Sequence, residues 1–424
     1  MRGTRAGLVV FVGIGVANIG NYLFHLVSAR SLGPTSYADL AALLALAGLI
    51  ALPLGGLQAA VARDVALLAA YGAEHAVAAR IRRALVLGGV IGVGGTVVFV
   101  ALSTLLQDAL EIESLEAVVL AGLLTAPAFL TPIVWGWAQG LQRFVTLSFS
   151  IAISPLARLV VLGLFLVSGL TVAGAMTATF LAATIAVLVP LWLLRRYLRE
   201  PAEIAPLELR QLARRVLPVI AGLLALTSLT TLDVVVGKSV LSEHEAGIYG
   251  AASLIGRAIL YLPAAVATVL LPKVAARSTL RQSTDDILAG SLAVTAGFCA
   301  AATVLYTLAP EFVIGLAFGD SYDDAAPLLW VFGLAMSGYA LLNVLFFYHL
   351  GHGDRRFAWL LMGGAVVEAI GFAVFQDSPG DLITVSAVTA LGLLVVHELV
   401  VGHELTRALA AIPRLLRTAA ASRR

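Results

Sequence analysis

The sequence predicts an all-α polytopic membrane protein of twelve transmembrane helices, arranged as two six-helix repeats around a central cleft. Three observations predict it. Of 424 residues, 60% are hydrophobic and 12% charged, against about 45–50% and about 25% in an ordinary soluble domain; so few charges cannot dress the surface of a water-soluble chain this long. Twelve apolar stretches are each long enough to cross a bilayer, and the basic residues gather on one side of them. A net charge of +2 argues against nucleic acid as a partner, and the single cysteine, Cys299, excludes a disulfide framework or a Cys-rich metal site.

A transmembrane helix needs about 20 apolar residues to cross about 30 Å of hydrocarbon. The first stretch, residues 8–29, follows a short basic start at residues 1–5 and has no clear small-residue cleavage site, so it is expected to be an uncleaved span and not a signal peptide. The second, 38–61, opens after Gly33 and Pro34 and closes before Arg63. The third, 84–106, starts after Arg80, Arg82 and Arg83; the fourth, 117–138, starts after the acidic run of Asp108, Glu111, Glu113 and Glu116. Spans 147–167 and 172–194 complete the first half, bounded by Arg143 and by Arg195 and Arg196. The second half repeats the pattern with 216–236, 248–271, 287–308, 326–350, 357–375 and 382–401. The longest connectors, 64–83 and 195–215, are expected to form Arg-rich surface helices, and no soluble domain fits between spans.

With both termini on the cytoplasmic face, of the 27 Lys and Arg only Arg30 and Lys238 fall outside, and Arg158 and Arg257 fall within spans; the other 23 lie on the inner side. Basic residues near span ends are held on the cytoplasmic face. Outer loops are acidic instead, with Glu311, Asp320, Asp323 and Asp324 in one of them. One span more or fewer would scramble this bias, so it supports the count together with the orientation, in a cytoplasmic membrane.

Internal similarity divides the chain. Tyr37 and Tyr249, and Asn21 and Asp233, are each separated by 212 positions, while Gly140 to Phe144 resembles Gly353 to Phe357 at a separation of 213. Pro53 with Arg63 parallels Pro263 with Arg277. A shared offset of six spans indicates a duplication in which both halves keep one orientation. The expected domains are residues 1–200, a linker at 201–215 containing Pro201 and Pro206, and residues 216–424.

The run Thr231 to Pro272, TLDVVVGKSVLSEHEAGIYGAASLIGRAILYLPAAVATVLLP, resembles the seventh and eighth spans of the polysaccharide-biosynthesis flippases. Asp233, Gly247 with Tyr249, Arg257 and Pro272 carry the match. Three further segments agree: Arg30, Ser31, Leu32, Gly33 and Pro34 with Tyr37; Gln139 to Phe144; and Phe318, Gly319, Asp320, Ser321 and Tyr322 with Ala325. The resemblance implies the multidrug/oligosaccharidyl-lipid/polysaccharide (MOP) exporter superfamily and a MATE-like arrangement, although many members have fourteen helices and this chain twelve. It implies a lipid-linked oligosaccharide flippase whose substrate is a polyprenyl-(di)phosphate-linked glycan, working in contact with membrane lipid, with H⁺ or Na⁺ as a coupling ion and other polysaccharide-assembly proteins as partners.

Charges inside spans are costly and usually face a bundle interior or wet cavity. Arg158, Arg257, Asp233, Glu368 and Glu398 are such residues. Ser150, Ser154 and Arg158 recur every four positions, as do Ser253, Arg257 and Tyr261, while Asn18, Asn21, His25 and Ser28 follow a helical spacing in the first span. These stripes make Arg257, Arg158, Asn21, His25 and Tyr261 candidates for binding substrate, since guanidinium groups pair with phosphate bidentately and stay charged. The competing reading pairs each Arg with Glu368 or Asp233. Asp233 and Glu368, with His25, are the candidates for coupling-ion exchange.

Other signals point to packing or interfaces. Gly13, Gly15 and Gly20, and Gly88, Gly89, Gly92, Gly94 and Gly95, follow no strand and suit close helix contact. His397, Glu398 and His403 lack zinc-motif spacing, and His349 and His352 are expected at an interface; no metal, cofactor or catalytic group is assigned. Trp192 and Tyr197 read as interfacial anchors. Alternatives to the flippase are a MATE-like cation-coupled drug or metabolite exporter, favoured by a cavity rich in carboxylates and aromatics; a glycan polymerase or ligase, for which the longest outer loop, 310–325, is short; and a non-transporting scaffold.

Overall fold

The protein is represented by a computed structural model that describes residues 2–72, 74–198, 209–404 and 406–407. The described residues are helical, with short turns and no strand. Sixteen α-helices follow in order: α1 (Arg2–Ala51), α2 (Gly55–Ala70), α3 (Glu74–Ala101), α4 (Ser103–Ala109), α5 (Leu115–Leu123), α6 (Thr125–Gly140), α7 (Phe144–Ser168), α8 (Val172–Leu198), α9 (Leu209–Val240), α10 (Glu243–Arg257), α11 (Tyr261–Thr279), α12 (Asp285–Leu308), α13 (Pro310–Ala317), α14 (Leu329–His352), α15 (Arg356–Val374) and α16 (Pro379–Val396).

Eleven helical stretches among the described residues are long and apolar enough to span a membrane. Ten coincide with spans three to twelve. The remaining one, Val12–Ala70, is 59 residues long, or about 88 Å at 1.5 Å per residue, which is far more than one crossing requires. It holds the first two expected spans, divided at Gly33, whose φ of 73° and ψ of 174° leave the helical region. That conformation is essentially restricted to glycine. Pro34 then restarts the helix where its missing N–H is no loss. The fold is therefore the all-α, polytopic membrane class expected.

Proline-associated breaks recur at matching places. A 3-10 turn at Leu52–Leu54 contains Pro53 and separates α1 from α2; another at Ala258–Leu260 separates α10 from α11, whose first turn contains Pro263. Ser242 starts α10 with a capping box, its hydroxyl accepting from the Glu245 N–H while the Glu245 carboxylate accepts from the Ser242 N–H.

The chain divides into two compact units, Met1–Ile220 and Ala221–Arg424. In the first, α1 packs on α7, α7 on α8, and α2 and α3 on α6. Val61, Val65, Val77, Ile81, Trp137, Ala138, Leu147 and Leu194 form a buried cluster there. In the second, α14 is the central helix, packed by α11, α12 and α16 and apolar nearly all round, as a helix with no solvent face should be.

The connector 64–83 forms no separate surface helix. Instead α2 and α3 run on until they meet at Tyr71 and Gly72, and Arg80 bonds Asp64 at 3.4 Å across them. Of the expected linker 201–215, residues 201–208 lie outside the described residues and the rest begins α9. Arg199, Arg414, Arg417, Arg423 and Arg424 also lie outside them.

Candidate functional site

The buried charges assemble into one constellation in each unit. In the first, Gly20 of α1 meets Pro155 of α7 so closely that a Cβ on Gly20 would lie 2.9 Å from the proline Cβ. This close approach brings the next residue, Asn21, to Arg158 one turn beyond the proline. The Arg158 guanidinium donates to Asn21 Oδ1 at 2.9 Å, and its central carbon lies 3.7 Å from the centroid of the Phe24 ring. Phe24 is fully buried, so the cation rests on a fixed aromatic face. Arg158 Nε has no hydrogen-bond acceptor among the described residues.

Arg158 and Asn21 line a cavity of about 530 Å³ together with Gln58, Thr131, Trp135 and Ser154. That volume is within the usual range for small-ligand pockets, about 300–1,000 Å³, and the mostly apolar wall with a few convergent polar groups is their usual make-up. The α7 stripe splits: Ser154 faces the cavity, while Ser150 is buried and donates to the Thr146 carbonyl of its own helix at 2.6 Å. The α1 stripe splits too. His25 Nδ1 lies 3.1 Å from the hydroxyl of buried Tyr37, and Ser28 is buried; neither lines this cavity.

In the second unit, Asp233 of α9 is buried and uses both carboxylate oxygens. Oδ1 accepts from Arg257 at 2.7 Å, and Oδ2 accepts from the Tyr249 hydroxyl at 2.8 Å. Arg257 is an ion-pair member there, with 24% of its side chain exposed. Tyr261, the third member of the expected stripe and four positions beyond Arg257, is 47% exposed, whereas Ser253 is buried. Asn21 and Asp233, 212 positions apart, each accept from an arginine, but one arginine is on α7 and the other on α10, helices that do not correspond under that offset.

Glu368 of α15 is completely buried. Gly364 and Gly371 flank it on one helical face and admit Leu393 and Val385 of α16, so that α15 and α16 close over the carboxyl group. Oε1 accepts from Tyr339 of α14, whose hydroxyl also lies 3.0 Å from the Ser386 carbonyl; Oε2 has no hydrogen-bond partner. One hydroxyl hydrogen cannot fully serve both acceptors. Glu368 Oε2 therefore retains unused acceptor capacity, which a proton could fill. Among the coupling-ion candidates, Glu368 keeps an open oxygen and Asp233 does not.

Sequence reasoning found the charged residues and missed the aromatic partners Phe24 and Tyr339 and the cavity-lining Trp135. Tyr339 had a findable signal, as a phenol in the middle of an otherwise apolar span that must bond something buried.

The sequence pattern of the family described as polysaccharide biosynthesis protein matches residues 4–276. The curated proteins include no match to the chain. Among solved structures, an inward-facing multidrug resistance MATE family transporter of the MOP superfamily is similar at a TM-score of 0.72 and 16% identity, covering 94% of this chain and 95% of that one. The lipid II flippase MurJ, in an inward closed conformation, is similar at 0.71 and 12% identity, over 97% and 92%. A MOP superfamily transporter from Pyrococcus furiosus is similar at 0.63 and 17%, over 96% and 95%. At these identities the likeness concerns the fold.

Proposed function

The chain belongs to the polysaccharide biosynthesis protein family, and from that premise we propose that it is a flippase carrying a lipid-linked oligosaccharide precursor from the cytoplasmic to the outer leaflet of the cytoplasmic membrane. It works by alternating access, with residues 1–200 and 216–424 as the moving halves, the linker 201–215 between them and both termini inside. The protein is a transporter and not an enzyme, and its substrate is a polyprenyl-(di)phosphate-linked glycan.

One observation carries this reading. Arg158 is seated on Phe24, holds a single neutral acceptor, and opens onto a cavity of about 530 Å³. A guanidinium with unused donors in a low-dielectric wall suits a diphosphate: it offers a planar fork and cannot lose its proton. Arg257 is committed to Asp233, so Arg158 is the principal phosphate-binding group. Asn21 orients it, His25 supports the first span through Tyr37, and Tyr261 is the remaining candidate.

A second reading, a cation-coupled drug or metabolite exporter, is favoured by Glu368, whose Oε2 lacks a partner. Both readings allow H⁺ or Na⁺ coupling at Glu368. The test is reconstitution of the full chain into liposomes carrying a polyprenyl-diphosphate-linked glycan, with leaflet position read by an impermeant glycan-modifying enzyme. Arg158→Lys should slow translocation by about ten- to a hundredfold, the equivalent of the 1.5–3 kcal/mol of a hydrogen bond to a charged group, with normal accumulation in the membrane. Unchanged flipping in Arg158→Lys overturns the role of Arg158; no flipping by the wild type, together with export of cationic drugs, favours the second reading.

A further inference from the structure

The structure brings together two histidines that lie 48 residues apart. His349, in the last turn of α14, and His397, which opens a π-helical turn His397–Val401 directly after α16, are both buried, and their Nε2 atoms are 2.9 Å apart. Glu404 completes the group: its Oε2 lies 3.7 Å from His397 Nε2, and one donor atom of each of the three residues falls within 4.8 Å of the others.

Local backbone makes this possible. Continuing α16 as a regular helix would carry residue 404 about 10.5 Å along the axis from residue 397. Instead the π-turn ends at Gly402, whose backbone is extended, and the Glu404 carboxylate lies 3.7 Å from His397 Nε2. A Cβ at Gly402 would land on the Glu404 carboxylate, so the glycine leaves the room that the carboxylate occupies. Single π-turns of this kind concentrate at functional sites.

We propose that His349, His397 and Glu404 form a binding site for a divalent transition-metal cation of the zinc class. Two imidazole nitrogens and one carboxylate oxygen are the donors such ions select. The facing Nε2 atoms need to part by only a few tenths of an ångström to flank a metal at about 2.0–2.1 Å each. Glu404 Oε2 is buried and has no hydrogen-bond partner, which an ion would supply. Carboxylates also lie near the outer ring nitrogens, beyond hydrogen-bond distance: His349 Nδ1 is 3.8 Å from Asp354 Oδ2 and His397 Nδ1 is 4.0 Å from Glu398 Oε2, and each would need to close in to orient its ring on a bound ion. Phe357 closes the apolar side, its ring centroid 5.1 Å and 5.0 Å from the two imidazoles. Three protein ligands leave a fourth position for water or an exchanging ligand, and the ion ties the end of α14 to the segment after α16.

The experiment uses the full-length protein, stripped with chelator in detergent and titrated with Co²⁺, then Zn²⁺. One Co²⁺ per chain should bind with the visible absorption of a low-coordinate site and be displaced by Zn²⁺. His349→Gln and His397→Gln should each weaken binding by more than about tenfold, and Asp354→Asn by about tenfold. Gly402→Ala, which leaves every ligand in place, should also weaken it. X-ray absorption of the zinc-loaded wild type should count two imidazoles, and this reading needs no variant to fold. Absence of saturable binding by the wild type, an all-oxygen shell, or undiminished binding in both histidine variants overturns the site and leaves a hydrogen-bonded histidine pair.

Discussion

At the residue scale, Asn21 and Asp233, 212 positions apart, show how equivalent places in the sequence yield different chemistry. Asn21 gives Arg158 one neutral acceptor, and the remaining guanidinium donors stay available at a cavity wall. Asp233, at the equivalent place, neutralises Arg257 and also accepts from Tyr249. Removing one partner of a buried pair leaves an uncompensated charge, which costs about 3–5 kcal/mol. Asp233→Asn should therefore lower the thermal unfolding temperature in detergent and the amount of protein in the membrane, and Asp233→Asn with Arg257→Met should recover most of the loss. Tyr249→Phe should cost less, about 1.5–3 kcal/mol for a bond to a charged group, toward the lower end because polar bonds within membranes average about 0.6 kcal/mol. If Arg257→Met alone leaves stability unchanged but stops transport, Arg257 contacts substrate and the structural assignment of this pair fails.

At the scale of elements, small residues decide which helices approach closely. The glycines of α3 are not equivalent. A Cβ at Gly92 would lie 2.9 Å from the Ala126 Cα and 3.1 Å from its carbonyl oxygen in α6, while Gly89 and Gly94 have nothing within 4 Å. Backbone cannot yield as a side chain does, so Gly92→Ala should destabilise by about 1–3 kcal/mol and Gly89→Ala should be neutral, as read by thermal unfolding in micelles. Equal losses at the two positions would mean that the helix face is assigned wrongly. The spans and their order were readable in the sequence because each depends on local periodicity and apolar length; the expected packing role holds for Gly13, Gly20, Gly88, Gly92 and Gly95 but not for Gly15, Gly89 and Gly94, which have no neighbour within 4 Å. The Arg158 and Asp233 positions were readable because charge is scarce in these helices. What the sequence did not disclose were meetings between distant helices: Phe24 beneath Arg158, Tyr339 on Glu368, and His349 against His397. Each depends on helix rotation and crossing, which no single helix encodes. The connector 64–83 was misread for a different reason: its Arg80 and Asp64 resemble a solvated surface helix, yet they join two spans that continue past the apolar stretch.

At the scale of the whole molecule, the side on which each loop lies depends on the parity of crossings, and Gly33 decides that parity. If Val12–Ala70 crossed once, every later loop would change sides, and the Arg clusters at 80–83, 195–196 and 355–356 would be divided from those before it. Its 59 residues and the non-helical Gly33 leave room for two crossings, a topology that would return the clusters to one face and leave the acidic loops on the other. Translocating many Lys and Arg in short loops is disfavoured, so this arrangement is the one that membrane insertion selects. A reporter at Asp377, in the short connection between α15 and α16, should therefore show alkaline phosphatase activity outside and no cytoplasmic fluorescence. The same pair at Gly353, the left-handed cap that ends α14, should give the opposite result. Cytoplasmic signal at Asp377 would require an even number of spans before it, and the assignment of the Arg158 cavity to a transport path from the inner leaflet would then have to be reversed. Moving Gly33 to alanine should act at this same level: its strained φ costs about 1–3 kcal/mol for any residue with a Cβ, with open space around it, so a loss of stability without a change in reporter sidedness would show that the corner is fixed by the neighbouring charges and that glycine only eases it.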